Sequence, residues 1–232
     1  MLTGAELIAR LADLFQDRKQ PERPLVVGIT GMDTSGKSQL ATALAAEMGR
    51  RGAANQLVRI DDFHHSQAHR YRPDLPQPEQ YYKNSIDFAR AAAQVLTPIR
   101  EKGCLKTELT LLDLRTDTPT LRRSYHVDAH TIVLVEGVFL FRPEVRELID
   151  LFVFLDVRED VVLARGRLRD VPTQGEQVMH KYRHKYLPAQ RRYLVEHPPV
   201  DHAEVIVDNS DWAAPAVLAW PGGVTGSVNH ER

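Results

Sequence analysis

Five short runs of apolar residues recur along the chain and predict buried β-strands. They consist mainly of Val, Ile and Leu without polar alternation, which is typical of strands buried on both faces of a parallel sheet. The runs occupy residues 25–30, 56–61, 131–137, 150–157 and 203–208. Segments with helical apolar spacing lie between them, at residues 37–49, 86–100, 158–169 and 177–195. This alternation predicts an α/β fold with a doubly wound, mainly parallel sheet.

The segment before the first strand predicts an amphipathic helix. Thr3 and Glu6 have the spacing of a capping box, and Leu7, Leu11 and Phe15 lie on one apolar stripe. A proline-containing stretch then ends the helix before the sheet begins. We therefore expect an N-terminal helix within residues 1–22, one α/β domain over residues 23–220 and a tail at residues 221–232.

Two regions interrupt the alternation of strands and helices. Residues 62–84 are polar and rich in proline, tyrosine and histidine, and residues 105–128 contain a predicted strand pair. In α/β enzymes such insertions often lie over the carboxyl ends of the strands. We expect both insertions to shape a substrate site.

The overall charge gives no reason to expect a polyanionic partner. The chain of 232 residues has 30 Lys and Arg against 31 Asp and Glu, and its pI is about 6.8. We therefore expect neither nucleic acid nor a membrane as a partner and leave a homo-oligomer open. The single cysteine, Cys104, fits a reducing compartment, so we expect the cytoplasm.

The stretch GMDTSGKS, residues 31–38, matches the phosphate-loop pattern G-x-x-x-x-G-K-[ST] in full. It follows a predicted strand and opens a predicted helix, which is the context that the pattern requires. Backbone N–H groups of such a loop point at phosphate oxygens, Lys37 would reach the β- and γ-phosphates, and Ser38 would bind Mg²⁺. The candidate nucleotide-binding residues are Gly31, Met32, Asp33, Thr34, Ser35, Gly36, Lys37, Ser38 and Gln39.

Acidic residues follow two of the predicted strands beside this loop. Asp61 is the last residue of the second run and Asp62 follows it, and Glu136 lies at the end of the third. A carboxylate at Asp61 could accept a proton from a substrate hydroxyl and help to hold Mg²⁺, and Glu136 suits outer-sphere Mg²⁺ binding. Arg165, Arg167 and Arg169 could clamp phosphates as a lid closes. At least one of these arginines is expected to have no role beyond a favourable interaction with the helix dipole.

Together these motifs resemble the uridine kinase and phosphoribulokinase family of P-loop kinases, from about residue 25 to residue 209. The resemblance implies the P-loop kinase fold, with ATP and Mg²⁺ as cofactors. It implies that Asp61 is the catalytic base and that Arg165 and Arg169 belong to a lid that includes residues 169–185. It also implies that Asn209 lies near the adenine.

The chain departs from the family pattern where uridine kinases carry Y-D-F-x-x-H-x-R to hold the base. Here the sequence is LLDLRTDT, in which Asp113 is retained but the aromatic and histidine partners are missing. The resemblance thus implies phosphorylation of a hydroxyl group, with a nucleoside as the expected acceptor. Nicotinamide riboside, pantothenate-like alcohols and sugar phosphates stay open, as does a regulator that binds ATP without phosphorylating a small molecule.

The candidate acceptor-binding residues come from the two insertions. They are Asp62, His64, Tyr82, Asp113, Arg115 and Asp117. The tyrosines at positions 71, 81 and 82 could stack on a substrate ring or pack the insertion onto the sheet, and both interpretations stay open. Histidines 180 and 184 have helical i,i+4 spacing, for which a surface position is favoured over a metal site.

Overall fold

A computed structural model describes residues 2–223 and shows a six-stranded sheet within them. The sheet strands are β1 (Leu25–Gly31), β2 (Asn55–Arg59), β5 (Ile132–Gly137), β6 (Leu151–Asp156), β7 (Val205–Asp208) and β8 (Ala216–Ala219), and a separate hairpin comprises β3 (Leu105–Asp113) and β4 (Thr118–Val127). The order across the sheet is β2-β5-β1-β6-β7-β8, parallel except for β8. The predicted α/β fold with a mainly parallel sheet is confirmed. The edge strand β8 was not predicted.

Helices cover both faces of this sheet. They are α1 (Gly4–Arg18), α2 (Lys37–Arg50), α3 (Gln67–Arg70), α4 (Gln77–Asn84), α5 (residues 88–102), α6 (Pro143–Arg146), α7 (Glu159–Gln174) and α8 (residues 177–196). Helices α5 and α8 each contain a π-helical turn, at Ala92–Leu96 and Tyr182–Tyr186. None of the helices described between residues 2 and 223 is long and apolar enough to cross a bilayer.

The core has two layers because successive strand residues point to opposite faces. On one face Val27 and Ile29 pack with α1 and α2, and on the other Val26 packs with α5, α8 and the aromatic residues of α4. Leu11 and Phe15 of α1 are fully buried, so this helix is part of the same core. The boundary at residue 22 between an N-terminal helix and the α/β domain stays a prediction. Residues 224–232 of the predicted tail lie outside the described residues.

Both insertions pack in the second of these layers, the one that contains Val26. Leu111 and Tyr125 of the hairpin are buried there together with Tyr82 from α4. The predicted strand pair is therefore present, and its side chains attach it to the sheet. A hydrogen bond from the His126 N–H to the Gln56 side-chain oxygen, 2.9 Å long, fixes the hairpin beside β2.

The second strand ends earlier than the apolar pattern predicts. Strand β2 stops at Arg59, and Ile60–Phe63 form one turn of 3₁₀-helix. Ile60 packs so closely over Gly137 that a Cβ at Gly137 would lie 2.7 Å from the Ile60 Cβ. The prediction of a strand through Asp61 is therefore wrong, because the backbone turns where Ile60 crosses the end of β5.

Candidate active site

The phosphate loop connects β1 to α2 and requires glycine at both of its ends. Gly31 and Gly36 have φ values of +154° and +98°, which favour glycine. A Cβ at Gly31 would overlap the Leu155 carbonyl oxygen, and one at Gly36 would lie 2.7 Å from the Asn209 Nδ2. The loop therefore wraps tightly between β6 and the turn after β7, with the N-terminus of α2 at its end.

Lys37 and Ser38 begin α2 directly after this turn. Lys37 is buried, and its Nζ donates a hydrogen bond to the Met32 carbonyl at 2.7 Å, so its stem folds back along the loop. The Ser38 hydroxyl donates to the Glu136 Oε2 at 3.1 Å. Strand pairing explains this contact, because β5 lies beside β1 and places Glu136 opposite Ile29.

Glu136 is a buried carboxylate at the end of β5. Burial raises the pKa of Glu136, and the nearby Asp61 carboxylate raises it further, while Lys37 and the Ser38 hydroxyl oppose the rise. The Arg59 Nε lies 3.6 Å from the Glu136 Oε1. Sequence reasoning missed Arg59, although its position at the end of a neighbouring strand could have indicated it.

A polar cleft of about 660 Å³ opens over the phosphate loop. Its size suits a small-molecule site. Of the predicted site residues, Asp33, Thr34, Gly36, Lys37, Ser38, Gln39, Asp61, Arg165, Arg169 and Asn209 line it, together with Leu168 and Trp212, which were not predicted. Gly31, Met32 and Ser35 form the buried part of the loop. An aromatic residue shortly after the last parallel strand was the sequence signal that could have found Trp212.

A second cavity of about 510 Å³ lies between the end of α8 and β7. Its lining is mostly apolar, with Leu194, Val200 and Ile206 among the residues that form it. Of the phosphate-loop residues only Met32 lines it, and the candidate base Asp61 does not. The polar cleft is therefore the candidate active site.

The two predicted lid arginines reach the cleft from α7. The Arg165 guanidinium donates to the backbone carbonyls of Asn209, Ser210 and Thr34 at 2.8, 3.2 and 3.3 Å. It thereby ties the phosphate loop to the turn after β7. Asn209 is buried in that turn, and its Nδ2 donates to the Ser35 carbonyl at 2.7 Å. In this arrangement both side chains brace the loop.

Arg169 forms a second cluster one turn further along α7. Its guanidinium donates to both Asp170 carboxylate oxygens, at 2.8 and 3.0 Å, and to the Tyr182 hydroxyl at 3.1 Å. The Tyr182 hydroxyl in turn donates to Asp170 at 2.6 Å. The Arg169 guanidinium lowers the pKa of Asp170, although partial burial opposes the shift. These contacts join α7 to α8 across the predicted lid.

Asp61 and Asp62 are adjacent but lie in different environments. Asp61 lines the cleft, and its backbone carbonyl contacts the His64 Nδ1 at 2.5 Å. Asp62 accepts two hydrogen bonds from Arg123 of the hairpin, at 2.6 and 3.1 Å. Asp62 therefore anchors β4, and His64 braces the 3₁₀ turn, so the structure brings neither side chain into the cleft lining.

The prediction of Tyr82 as an acceptor-binding residue is not supported by its position. The Tyr82 hydroxyl donates to Glu196 at 2.8 Å, and its ring packs edge-to-face on Phe139 and Tyr193. Its neighbour Tyr81 instead donates to the Asp33 Oδ2 at 2.9 Å. The two adjacent rings thus point in different directions from α4. The sequence alone did not decide which of them packs in the core and which reaches the phosphate loop.

The hairpin residues Asp113, Arg115 and Asp117 likewise lie outside the cleft lining. The Asp113 carboxylate accepts a hydrogen bond from the Arg115 N–H at 2.8 Å. Asp117 accepts from the Gln67 N–H at 2.8 Å and from Arg70 at 3.3 Å. Asp117 therefore attaches the tip of the hairpin to α3, whereas Asp113 stabilises the turn within the hairpin.

The oxygen groups beside the loop fit Mg²⁺ better than they fit a protein-enclosed metal. Among residues 2–223, no three or more His, Cys, Asp or Glu side chains are arranged to hold an ion. Ser38, Glu136 and Asp61 offer hard oxygen ligands, and Mg²⁺ typically takes one or two such groups plus phosphate and water. His180 and His184 stack with ring centroids 4.0 Å apart, as surface side chains of α8.

A parallel sheet with a phosphate loop after β1, an acid after β2 and paired helices over the loop defines a P-loop kinase. The model of the phosphoribulokinase / uridine kinase family matches residues 26–212. The chain belongs to this family, and it is accordingly an ATP-dependent kinase. The resemblance to this family that the motifs indicate is thereby confirmed.

Named relatives agree with this assignment. Uridine-cytidine kinase A of Dictyostelium discoideum is 29% identical over 204 residues, which are 83% of this chain and 38% of that protein. A uridine kinase of Shewanella frigidimarina is 26% identical and matches 79% of this chain and 86% of its own length. The structure of a possible uridine kinase from Bacillus stearothermophilus has a TM-score of 0.67 at 25% identity, covering 86% of this chain and 96% of that one.

Proposed function

We propose that this kinase transfers the γ-phosphoryl group of ATP to a hydroxyl of a nucleoside. The observation that carries the proposal is one cleft in which the phosphate loop, the Asp61 carboxylate and two arginines of α7 meet. Phosphoryl transfer needs these parts, since its catalysis is mainly positioning and charge stabilisation. The relatives named as uridine kinases support a nucleoside as the acceptor.

The loop and the start of α2 bind the phosphates in this proposal. Backbone N–H groups of residues 33–38 and the positive end of α2 attract phosphate oxygens, and Lys37 adds a full charge. Ser38 would hold Mg²⁺, with Glu136 and Asp61 as the neighbouring carboxylates. When bound, Mg²⁺ neutralises phosphate charge that the protein would otherwise have to balance.

Asp61 serves the acceptor in the same scheme. Its carboxylate takes the proton of the acceptor hydroxyl as that oxygen bonds to the γ-phosphorus and the bond to the ADP oxygen breaks. Arg165 and Arg169 stabilise the charge that develops on the transferred group. Since both guanidinium groups also hold the loop and the lid together, they are positioned before the substrates bind.

The nucleotide base is expected at the end of the cleft formed by Trp212 and Leu168. Trp220, the second tryptophan, lies elsewhere, with Arg10 at 4.7 Å over its ring. In a Trp220→Phe variant we therefore expect ATP to quench the remaining fluorescence. The matched Trp212→Phe variant should show almost no response to ATP. A full response in that variant would place the base elsewhere.

Recognition of the acceptor base is expected to be loose. The hairpin has LLDLRTDT in place of the family pattern with its aromatic and histidine residues, and its tip carboxylates are engaged, Asp117 with α3 and Asp113 within the turn. We expect uridine and cytidine to be used with kcat/KM values within about tenfold of each other, because one hydrogen bond contributes about 1 kcal/mol net and a tenfold ratio corresponds to about 1.4 kcal/mol. The cytosol stays the proposed location, in keeping with one exposed free thiol at Cys104.

A panel of acceptors in an assay of ADP release tests the proposal. Uridine, cytidine, nicotinamide riboside and pantothenate are compared at fixed ATP and Mg²⁺. The proposal predicts that the ribosides raise ADP release far above the rate without acceptor. If pantothenate alone did so, the acceptor class would be wrong. If no acceptor did so, a nucleotide-binding regulator would replace the kinase assignment of this site.

A further inference from the structure

The third residue of the phosphate loop is an acid, and its carboxylate lies in the cleft. Asp33 shares the cleft lining with Lys37, Asp61 and Arg169. A negative charge beside bound phosphates repels them, so Asp33 does not favour ATP binding by itself. Burial raises the pKa of Asp33, and Lys37 opposes this rise. A partner other than the phosphates would explain a carboxylate in this position.

Two buried side chains hold one oxygen of this carboxylate. The Asp33 Oδ2 accepts hydrogen bonds from the Tyr81 hydroxyl at 2.9 Å and from the Gln190 Nε2 at 2.6 Å. The Gln190 Oε1 accepts from the Asp33 backbone N–H at 3.1 Å, so the amide of Gln190 holds both ends of the residue. Gln190 is only 2% exposed, and Tyr81 only 9%. These contacts fix the orientation of the carboxylate.

The other oxygen, Oδ1, is available to a ligand. Across the described residues 2–223, no protein donor forms a hydrogen bond with the Asp33 Oδ1, and this atom is not among the buried atoms that lack a partner. It therefore faces the open cleft, on a residue that lines that cleft together with Asp61. A fixed carboxylate oxygen aimed into a substrate cleft suits a hydroxyl donor, because such charge-assisted bonds are short and strong.

We propose that Asp33 binds a second hydroxyl of the acceptor, one that is not phosphorylated, and so selects acceptors that carry at least two hydroxyl groups. The proposal rests on the proposed function, in which Asp61 takes the reacting hydroxyl. It assigns the two carboxylates of the cleft to two hydroxyls of one molecule. Acceptors without the second hydroxyl leave the Asp33 oxygen unpaired when the cleft is filled, which weakens their binding.

Asparagine at position 33 is a close probe of this assignment. Its side-chain oxygen can still accept from Tyr81 and Gln190, since placing its NH₂ group there would oppose two donors. Its NH₂ then faces the cleft, where the carboxylate oxygen stood. Asp33→Asn thus keeps the shape and the buried contacts and replaces the charged acceptor for the substrate hydroxyl with a neutral N–H donor. We expect its affinity for ATP to be unchanged or higher, because a negative charge is lost near the phosphates.

The test is a thermodynamic cycle in which wild type and one variant are each combined with a riboside and its deoxy analogues. Wild type and Asp33→Asn are assayed with the best riboside and with its 2′-deoxy and 3′-deoxy analogues, and kcat/KM is measured for each. In wild type we expect one deoxy analogue to be about 10- to 100-fold poorer. Asp33→Asn should lose a similar factor with the parent riboside and then discriminate little against that analogue. The proposal would be overturned if Asp33→Asn discriminated against the deoxy analogue as strongly as wild type does, because the effects of the substitution and of the missing hydroxyl would then be independent.

Two controls separate this result from general damage. Asp13→Asn makes the same chemical change on α1, where Asp13 pairs with Arg51, and should leave the whole acceptor series unchanged. If Asp33→Asn lowered both the affinity for ATP and the melting temperature, Asp33 would only maintain the structure of the loop, and the proposal would be overturned. If Asp33→Asn does not fold, Tyr81→Phe replaces it, because it removes one of the two hydrogen bonds that orient the carboxylate and keeps the carboxylate itself. Tyr81→Phe should then narrow the gap between the riboside and its deoxy analogue.

Failure of this proposal and failure of the proposed function give different results. If wild type uses the riboside and both deoxy analogues equally well, the kinase assignment stands and the role of Asp33 is wrong. If no hydroxyl compound raises ADP release above the ATP-only rate, both are wrong. Success requires acceptor-dependent turnover together with a deoxy penalty that depends on residue 33.

Discussion

Asp61 and Asp62 differ in what surrounds them, and this difference predicts different roles. Asp61 lines the cleft, whereas Asp62 forms two hydrogen bonds with Arg123. We expect Asp61→Asn to lower kcat about 10²- to 10⁴-fold with little change in the KM for ATP, because it removes a proton acceptor used in the transition state. Steady-state kinetics with the identified acceptor measure this effect.

Asp62→Asn is the matched control for that experiment. It should weaken the attachment of the hairpin and lower stability, with an effect on kcat of less than about tenfold, since one hydrogen-bonded ion pair is lost outside the cleft. A larger loss of kcat in Asp62→Asn than in Asp61→Asn would contradict the assignment of the base.

Individual residues also mark the limit of sequence reasoning here. The phosphate loop, Glu136 and the two α7 arginines could be predicted because their motifs fix local backbone and charge. The choice between Tyr81 and Tyr82 could not, because it depends on how α4 rotates against Phe139 and Tyr193. The contact of Asp33 with Gln190 joins residues 157 positions apart, and no local pattern reports it.

The two helices over the cleft pack closely at one glycine. A Cβ at Gly166 of α7 would lie 2.5 Å from the Tyr182 ring of α8. Alanine in a helix usually stabilises it relative to glycine, but here we expect Gly166→Ala to destabilise the protein by about 1–3 kcal/mol through overpacking. Chemical denaturation measures this change in the free energy of unfolding.

Gly49→Ala supplies the opposite outcome within the same chain. Gly49 lies in α2, and a Cβ added there would meet no atom within 4 Å, so alanine should stabilise the protein by about 0.5–1 kcal/mol. If both variants moved stability in the same direction, close packing at Gly166 would not be the cause.

The Asp170 cluster makes the stability of the α7–α8 pair depend on pH. The pKa of Asp170 is lowered in the folded protein, mainly by Arg169, so its contribution is present above the ordinary aspartate pKa and is lost as pH falls through the lowered value. We expect Asp170→Asn to cost about 1–2 kcal/mol at pH 7. This difference should shrink below about pH 4. A difference that stays constant at acidic pH would exclude the charge as its origin.

Most of the elements could be predicted because their apolar patterns are long. The exceptions have physical causes. Strand β8 has only four residues, which are half-buried or exposed, and its apolar run AVLA is too short to indicate a strand by itself. Strand β2 ends early because Ile60 crosses over Gly137, a contact between segments that are distant in sequence. The π-helical turns of α5 and α8 are likewise not encoded in the helical period of the apolar residues.

At the level of the whole molecule, the sheet order brings the parts of the site together. Strand β1 lies between β5 and β6, so the phosphate loop emerges where connections run in opposite directions and a crevice forms at the strand ends. Glu136, Asp61 and the turn at Asn209 reach that crevice from three other strands. The parallel α/β class was predictable from the alternation of elements, whereas the hydrogen bonds by which Arg165 ties the phosphate loop to the turn after β7 required the three-dimensional structure.

Transfer of a labelled γ-phosphoryl group tests the central claim most directly. Wild type and Lys37→Ala are incubated with γ-labelled ATP, Mg²⁺ and uridine or cytidine, and the labelled products are separated and identified by mass. We predict a labelled nucleoside monophosphate from wild type. A folded Lys37→Ala should form it about 10²- to 10³-fold more slowly, because one charge on the phosphates is lost. Label that appeared only in inorganic phosphate, or equal transfer by both proteins, would contradict the account.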